Sequence, residues 1–368
     1  MQRTALLCLA GLSFMNVSAQ LQVYYGGDPA ALALTHLNGP NVVLSNVFSQ
    51  TIDAQQVGLF NDSTMSIGLD SGMVMSTGQI YGVLGPNSIP NMSFGGGYTT
   101  GDPDLMTMST YYANVIGDPG ILQMDLVPAG DTLEVRYVFG SEEYDEYVCS
   151  DKDDRVGMFL SGPGIAGPFS NGAINMALLP GSNLPVTVNT LNRGINGANG
   201  NLGLCGLNPL WQMDTIFYIN NDFGLGTQLD GYSVVLTARA VVMPGAIYHL
   251  KIAIADVGDV NYDSAIFLPE GAIRCTELST GLQGLGGDAA HAVWFSEQDR
   301  TVHVRGLGPE GGPLLVEVFD PTGRLVQRST ATGNGTLWSA PLLGDFGGVA
   351  IVRAWQQDQL VTGKVFVR

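Results

Sequence analysis

The chain has 368 residues and 45% of them are hydrophobic, enough for sizeable cores in about two domains of roughly 150 residues each. Fifty glycines and 18 prolines without a period exclude collagen, and a charged share of only 13% points to an all-β extracellular protein rather than a helical cytosolic enzyme. The net charge of −18 argues against nucleic acid and anionic lipid as partners and favours cations.

Residues 1–19 read as a secretory signal. Arg3 supplies the positive start, Ala5–Phe14 is an apolar run too short to span a bilayer, and Val17-Ser18-Ala19 is a small-residue cleavage site. No later stretch has the length and apolarity of a transmembrane helix.

Past the signal, short alternating runs bounded by Gly, Pro, Asn and Asp predict strands at Thr132–Phe139, Val156–Leu160, Pro185–Asn189, Tyr232–Ala238, Tyr248–Ala255 and Ser264–Leu268. One helix is predicted, over Leu105–Ile116, behind the capping sequence Asp102-Pro103-Asp104. Leu191–Leu207 reads as a Gly/Asn loop. Residues 20–275 are therefore expected to form an antiparallel β-sandwich of jelly-roll or lectin-like type.

Export places the mature cysteines in an oxidising compartment. Three remain, so one stays unpaired. Cys149 and Cys205 lie mid-domain and are expected to pair, leaving Cys275 free at the domain's end.

Thr276–Ala290 is Gly-rich and aromatic-free and reads as a linker over residues 276–290. Residues 291–368 carry seven basic and seven acidic residues, so the acidic surplus belongs to the first domain. Strands are predicted at Ala292–Phe295, Thr301–Arg305, Leu314–Asp320, Arg324–Arg328, Gly347–Gln356 and Leu360–Val367, with a turn at Asp320-Pro321-Thr322-Gly323. These predict a small Ig-like β-sandwich.

Two resemblances follow from particular residues. The tail has Leu315–Val326 around Asp320-Pro321-Thr322-Gly323-Arg324, then Gly348–Val352 and a final Lys364-Val365-Phe366-Val367-Arg368. It resembles the type A C-terminal sorting domain of the type IX secretion system, with Ala350 where Tyr is usual. This implies export through the type IX machinery. The larger domain has Gln56–Phe60, Ile67–Gly78, Tyr137–Tyr144, Phe159–Gly164 and Ile254–Leu268, and in these segments it resembles the choice-of-anchor L family. That resemblance implies a secreted or cell-surface β-sandwich without a known activity.

The acidic clusters carry the chemistry. One holds Glu142, Glu143, Asp145, Glu146, Asp151, Asp153 and Asp154, with Cys149 among them. The other holds Asp256, Asp259, Asn261 and Asp263, with Gly258 permitting a tight bend. Crowded carboxylates repel unless a cation bridges them, and oxygen donors without Cys or His suit Ca²⁺. Neither cluster has EF-hand spacing; solvated or turn-capping carboxylates are the simpler alternative. The expected metal ligands are Glu142, Glu143, Asp153, Asp154, Asp256, Asp259 and Asp263, with Glu143, Asp154, Asp256 and Asp263 sharing one Ca²⁺ site or two nearby ones. No catalytic constellation is visible: His36, His249, His291 and His303 are isolated, and Ser71 and Ser76 lie outside any nucleophile elbow. The expected function is a non-catalytic secreted or surface module, adhesive in role and stabilised by Ca²⁺, with a surface glycan or protein as ligand. The alternatives are a carbohydrate-binding module using Tyr24, Tyr25, Tyr111, Tyr112 or Trp211, and a secreted hydrolase.

Overall fold

The computed structural model describes residues 21–276, apart from 52, 98–100, 109–114 and 207–210, and residues 292–367, apart from 297–299, 306–313, 321–323, 334–336, 343–347 and 357–358. The expected signal, the linker beyond Thr276, and Tyr111 and Tyr112 lie outside the described residues. The chain forms two compact units, Met1–Thr276 and Glu277–Arg368.

The first unit stacks two antiparallel sheets. In chain order its elements are β1 (Gln22–Tyr24), α1 (Pro29–His36), β2 (Val42–Gln50), β3 (Val57–Asn61), β4 (Ser71–Ser76), α2 (Pro103–Thr107), β5 (Ile116–Pro128), β6 (Thr132–Ser141), β7 (Arg155–Ser161) and β8 (Ile174–Asn175). They continue with α3 (Leu202–Cys205), β9 (Tyr218–Asn220), β10 (Gly231–Ser233), β11 (Leu236–Val241), β12 (Tyr248–Val257), β13 (Ser264–Pro269) and β14 (Ile273–Thr276). Sheet one runs β1-β3-β4-β13-β6-β10-β9, with β11 and β14 also paired to β6; sheet two runs β2-β5-β12-β7-β8.

Alternation along each strand builds the core. On β12, Leu250, Ile252 and Ile254 face the space between the sheets and meet Met75, Phe139 and Ile266. Each such side chain stabilises the fold by about 1.5–3 kcal/mol through burial. Ala253 and Ala255 point to the other face of sheet two, which is also covered, by Leu105 of α2 and by Phe159 and Phe169. Sheet one is likewise covered outside, where Phe60, Val138, Leu229 and Phe267 cluster. Central strands buried on both faces read as continuous apolar runs, as Ser264–Pro269 does.

Three sequence expectations change. The helix ends at Thr107, and Ile116 opens β5, paired with Val257 of β12. Residues 109–114 of the expected helix lie outside the described residues, and at Ile116 the ladder to β12 takes the backbone. Pro185–Asn189 is no strand and makes only isolated bridges, at Pro185 and Thr187; the backbone turns there, with Leu191 N–H bonded to Thr187 O at 2.9 Å. Tyr232–Ala238 divides between β10 and β11, which bind successive stretches of β6. Helix α1 was not anticipated, although Asp28 as its cap and Pro29 at its first turn are readable signals.

The second unit is a seven-stranded antiparallel sheet. Its strands are β15 (Ala292–Ser296), β16 (Thr301–Arg305), β17 (Leu314–Phe319), β18 (Leu325–Gly333), β19 (Leu337–Pro341), β20 (Gly348–Gln356) and β21 (Gln359–Val367). The order is β15-β16-β19-β18-β17-β20-β21, and β15 and β21 come together. Val302, Val304, Leu314, Val316, Val318 and Val352 form its core. Both units are all-β sandwich architecture, as expected.

Candidate metal centre

The two acidic segments lie at the same end of the first sandwich. Glu142 and Glu143 follow the end of β6, and Asp154 precedes β7. Asp256 lies near the end of β12, and Asp263 precedes β13. Antiparallel pairing of β12 with β7 and of β13 with β6 makes these ends coincide. Three contacts join the segments. Tyr147 packs on Tyr262 with ring centroids 5.4 Å apart, and Lys152 Nζ lies 3.1 Å from Asp259 Oδ2. Gly258, at φ 95°, passes so close that a Cβ there would lie 2.3 Å from Asp151 O.

The first segment is held from behind. The Glu143 N–H donates to Ser141 Oγ at 2.9 Å, and the Cys149 N–H donates to Asn189 Oδ1 at 2.7 Å. Cys149 and Cys205 form the expected disulfide, and Cys275 is free and buried.

Asp154 is the centre. It is fully buried; Oδ1 accepts from the Val257 N–H at 2.9 Å and Oδ2 from the Ser264 hydroxyl at 2.6 Å. Burial raises its pKa, with Asp153 and Asp259 adding to the shift against those two hydrogen bonds. Asp256 is 1% exposed, and neither of its carboxylate oxygens has a hydrogen bond of good geometry; the nearby Thr77 side chain offsets only part of its rise in pKa. Burial, then Asp154 and Asp263, push its pKa far up. Glu143 is equally buried, with Oε2 unpartnered, and is raised by burial and then by Asp154. Asp263 Oδ2 accepts from the Phe94 N–H at 2.7 Å; burial lifts its pKa to about 7, with Asp118 adding to the rise.

The other expected ligands are otherwise engaged. Asp153 accepts from the Asn189 N–H at 2.9 Å and from Arg155 Nη2 at 3.2 Å. Asp259 pairs with Lys152 and accepts from the Asn261 N–H. Glu142 Oε2 accepts from the Met92 N–H at 3.0 Å, while Oε1 is buried with no hydrogen bond of good geometry, the Gln228 side chain lying near the carboxylate. Burial and then Asp230 raise Glu142 to about 9.

Asp118 is a member the sequence reading missed. It is 1% exposed at the start of β5, and its Oδ2 accepts from the Gly97 N–H at 2.6 Å. Its signal was Gly117-Asp118-Pro119-Gly120, an acid among turn residues. Among the described residues, no three Asp, Glu, His or Cys side chains already converge to hold one metal ion. What the site offers is a crowd of buried carboxyl groups with four oxygens that no hydrogen bond satisfies, on Asp256, Glu143 and Glu142.

Beside this end lies a groove of about 500 Å³, lined by Tyr144, Asp145, Glu146, Asp222, Phe223 and Asp230 among others. Phe223 is 90% exposed. Arg193 Nη1 pairs with Asp145 Oδ2 at 2.5 Å, and burial raises Asp145 to about 6 against that pairing.

The family model of the choice-of-anchor L domain matches residues 27–274, most of the chain and nearly all of the first unit. The chain belongs to the choice-of-anchor L domain family. This choice-of-anchor L protein is therefore a surface or secreted module of a generally non-enzymatic family. Among the described residues no helix is long and apolar enough to cross a membrane. No curated protein matches the sequence. Among solved structures the choice-of-anchor L chain is similar to CopC from Methylosinus trichosporium OB3b, at 24% identity over 20% of this chain and 80% of that chain, with a TM-score of 0.16. It is also similar to apo β-glucuronidase from Ruminococcus gnavus, at 11% identity over 88% of this chain and 46% of that chain, with a TM-score of 0.15. The chain thus spans less than half the length of the glucuronidase it matches.

Proposed function

We propose that the protein is an exported, adhesive, non-catalytic surface module whose choice-of-anchor L domain is stabilised by Ca²⁺. The observation that supports the metal is Asp256, with both oxygens buried and unpartnered beside Asp154. A hard cation with six to eight oxygen ligands satisfies such groups where no hydrogen-bond donor does. In this reading the ion draws Glu143, Asp154, Asp256 and Asp263 together, and the two acidic loops close on it. At a Ca²⁺ concentration a hundredfold above Kd the folded state gains about 2.7 kcal/mol. The test is thermal unfolding of the full secreted chain in Ca²⁺ and in EDTA, with elemental analysis. A melting temperature that rises with Ca²⁺ supports the reading. An unmoved one, with no metal found, returns the cluster to turn-capping carboxylates.

The second unit is proposed as a type IX sorting domain, on the Asp320–Arg324 and terminal Lys364–Arg368 resemblances and the neutral charge of 291–368. In a host with that system, deleting 291–368 traps folded protein in the periplasm. Arrival of the truncated chain at the surface sinks this part of the reading.

The groove favours a second reading, carbohydrate binding, because exposed Phe223 stands beside Asp145, Glu146 and Asp222 as a ring beside polar groups. Tyr24 and Tyr25 are exposed, and Trp211 packs against the core. Glycan-array binding lost in Phe223→Ala supports this reading; an empty array removes it.

A further inference from the structure

On the outer face of sheet two, away from the acidic end, Lys251 of β12 is buried with two aspartates. Its Nζ lies 2.9 Å from Asp102 Oδ2 and 3.0 Å from Asp102 Oδ1, and it contacts Asp104 Oδ2 directly. Lys251, Asp102 and Asp104 are 8%, 6% and 3% exposed. The Phe159 ring covers the amine, 4.8 Å from Nζ to the ring centroid, and Phe169 packs on Phe159. Two carboxylates around one ammonium leave a buried excess of negative charge, a poor way to stabilise a fold.

The two carboxylates are held differently. Asp102 caps α2: its Oδ1 accepts from the N–H groups of Asp104 and Leu105, both at 3.0 Å. Asp104 Oδ1 accepts from the Ser170 N–H at 2.7 Å, while Oδ2 faces Lys251. A backbone N–H on one carboxyl oxygen and a nucleophile on the side of the other is the layout of an acyl-transfer site. A cavity of about 50 Å³, lined by Lys251, Asp104, Ser170 and Phe159 among others, adjoins the amine and has room for a released water.

We propose that Lys251 and Asp104 condense into an intramolecular isopeptide bond, with Asp102 as the proton carrier. Nζ first gives one proton to Asp104 Oδ2, leaving a neutral amine and a neutral acid. The Nζ lone pair attacks Asp104 Cγ, and negative charge gathers on Oδ1 against the Ser170 N–H. Asp102 takes a second proton from Nζ and delivers it to the departing Oδ2 hydroxyl. A C–N bond forms, the Cγ–Oδ2 bond breaks, one water leaves, and Asp102 is again a carboxylate. No oxidant, metal or cofactor enters. Holding amine and acid in contact in a largely buried site replaces part of the activation that free amines and acids require. Burial raises the Asp104 pKa, but hydrogen bonds from Lys251 and Ser170 bring it below its ordinary value. The product clasps α2 to the central strand of sheet two.

The test is mass spectrometry of the full secreted chain after disulfide reduction, with peptide mapping. The expected mass is about 18 Da, one water, below that of the processed sequence. The loss should map to a branched peptide joining the segments of Asp104 and Lys251. Recovery of both segments as separate linear peptides of full mass, after prolonged incubation of folded protein, overturns the proposal without any variant. Lys251→Arg keeps the cation and should show full mass; a persistent loss there also overturns it. Asp102→Asn should fold and close much more slowly; closure at the wild-type rate removes Asp102 as proton carrier.

Discussion

Ser264 opens β13 in sheet one, Asp154 precedes β7 in sheet two, and the Ser264 hydroxyl donates to Asp154 Oδ2 at 2.6 Å. This bond ties the two sheets at the acidic end. Gln56 adds to the tie by donating from Nε2 to Thr77 O at 2.7 Å and to Asp118 O at 3.0 Å. Ser264→Ala leaves one oxygen of a buried carboxylate without its donor, which costs about 1–3 kcal/mol. Urea unfolding at neutral pH should show a lower midpoint with an unchanged slope. An unchanged midpoint denies the bond its structural role.

Asp256→Asn separates the metal reading from its alternative by sign. In EDTA the substitution relieves a buried, unpartnered carboxyl and should raise the melting temperature. In Ca²⁺ it removes a ligand, so the gain seen in the wild type should shrink or vanish. Calorimetric scans in both conditions check the pair of outcomes. Loss of stability in EDTA with no change in Ca²⁺ response contradicts the assignment.

Gly78→Ala probes the same site from the backbone. A Cβ at Gly78 would sit 2.1 Å from Asp263 Oδ2, inside any van der Waals contact. The carboxylate must move or the strand end must shift, at about 1–3 kcal/mol for an overpacked site. The Ca²⁺-dependent rise in melting temperature should fall with it. A full Ca²⁺ response in this variant places the ion elsewhere.

The Cys149–Cys205 disulfide spans 56 residues, and its removal frees the unfolded chain by about 4 kcal/mol in the chain-entropy model. The double substitution Cys149→Ser, Cys205→Ser should therefore lower stability by several kcal/mol, read by chemical unfolding. The single substitution Cys275→Ser should leave disulfide content unchanged, since that thiol is free.

Asp230 provides a pH test in the groove beside the acidic end. Burial, with Glu146, Asp222 and Asp145 adding, raises it to about 7 against the hydrogen bond from Asn87. The folded state therefore holds this proton more tightly than the unfolded chain does. The stabilisation is complete below the ordinary carboxylate pKa and is lost as pH rises through about 7. Asp230→Asn should raise the melting temperature at pH 8 relative to wild type and make little difference at pH 4. Equal effects at both pH values rule out this titration.

The sequence by itself determined the class of fold, because period-two apolar runs between turn residues admit few other structures, and Thr132–Ser141, Arg155–Ser161 and Tyr248–Val257 follow their runs closely. It also placed the capping Asp102, which depends on local residue chemistry, and the Cys149–Cys205 pair, which followed from three exported cysteines and their places in the domain. Tertiary structure alone decided that the two acidic loops meet: strand pairing across more than a hundred residues brings Asp154 to Ser264. It alone decided which carboxylates are spent on Arg155 or Lys152 and which stay unpartnered. It alone set Lys251 beside Asp102 and Asp104. In the sequence Lys251 is a lone lysine in a largely apolar strand; only the covering of sheet two's outer face makes it a buried amine facing two acids. Local propensity acts over a few residues, whereas burial and charge contacts are fixed by strands distant in the chain.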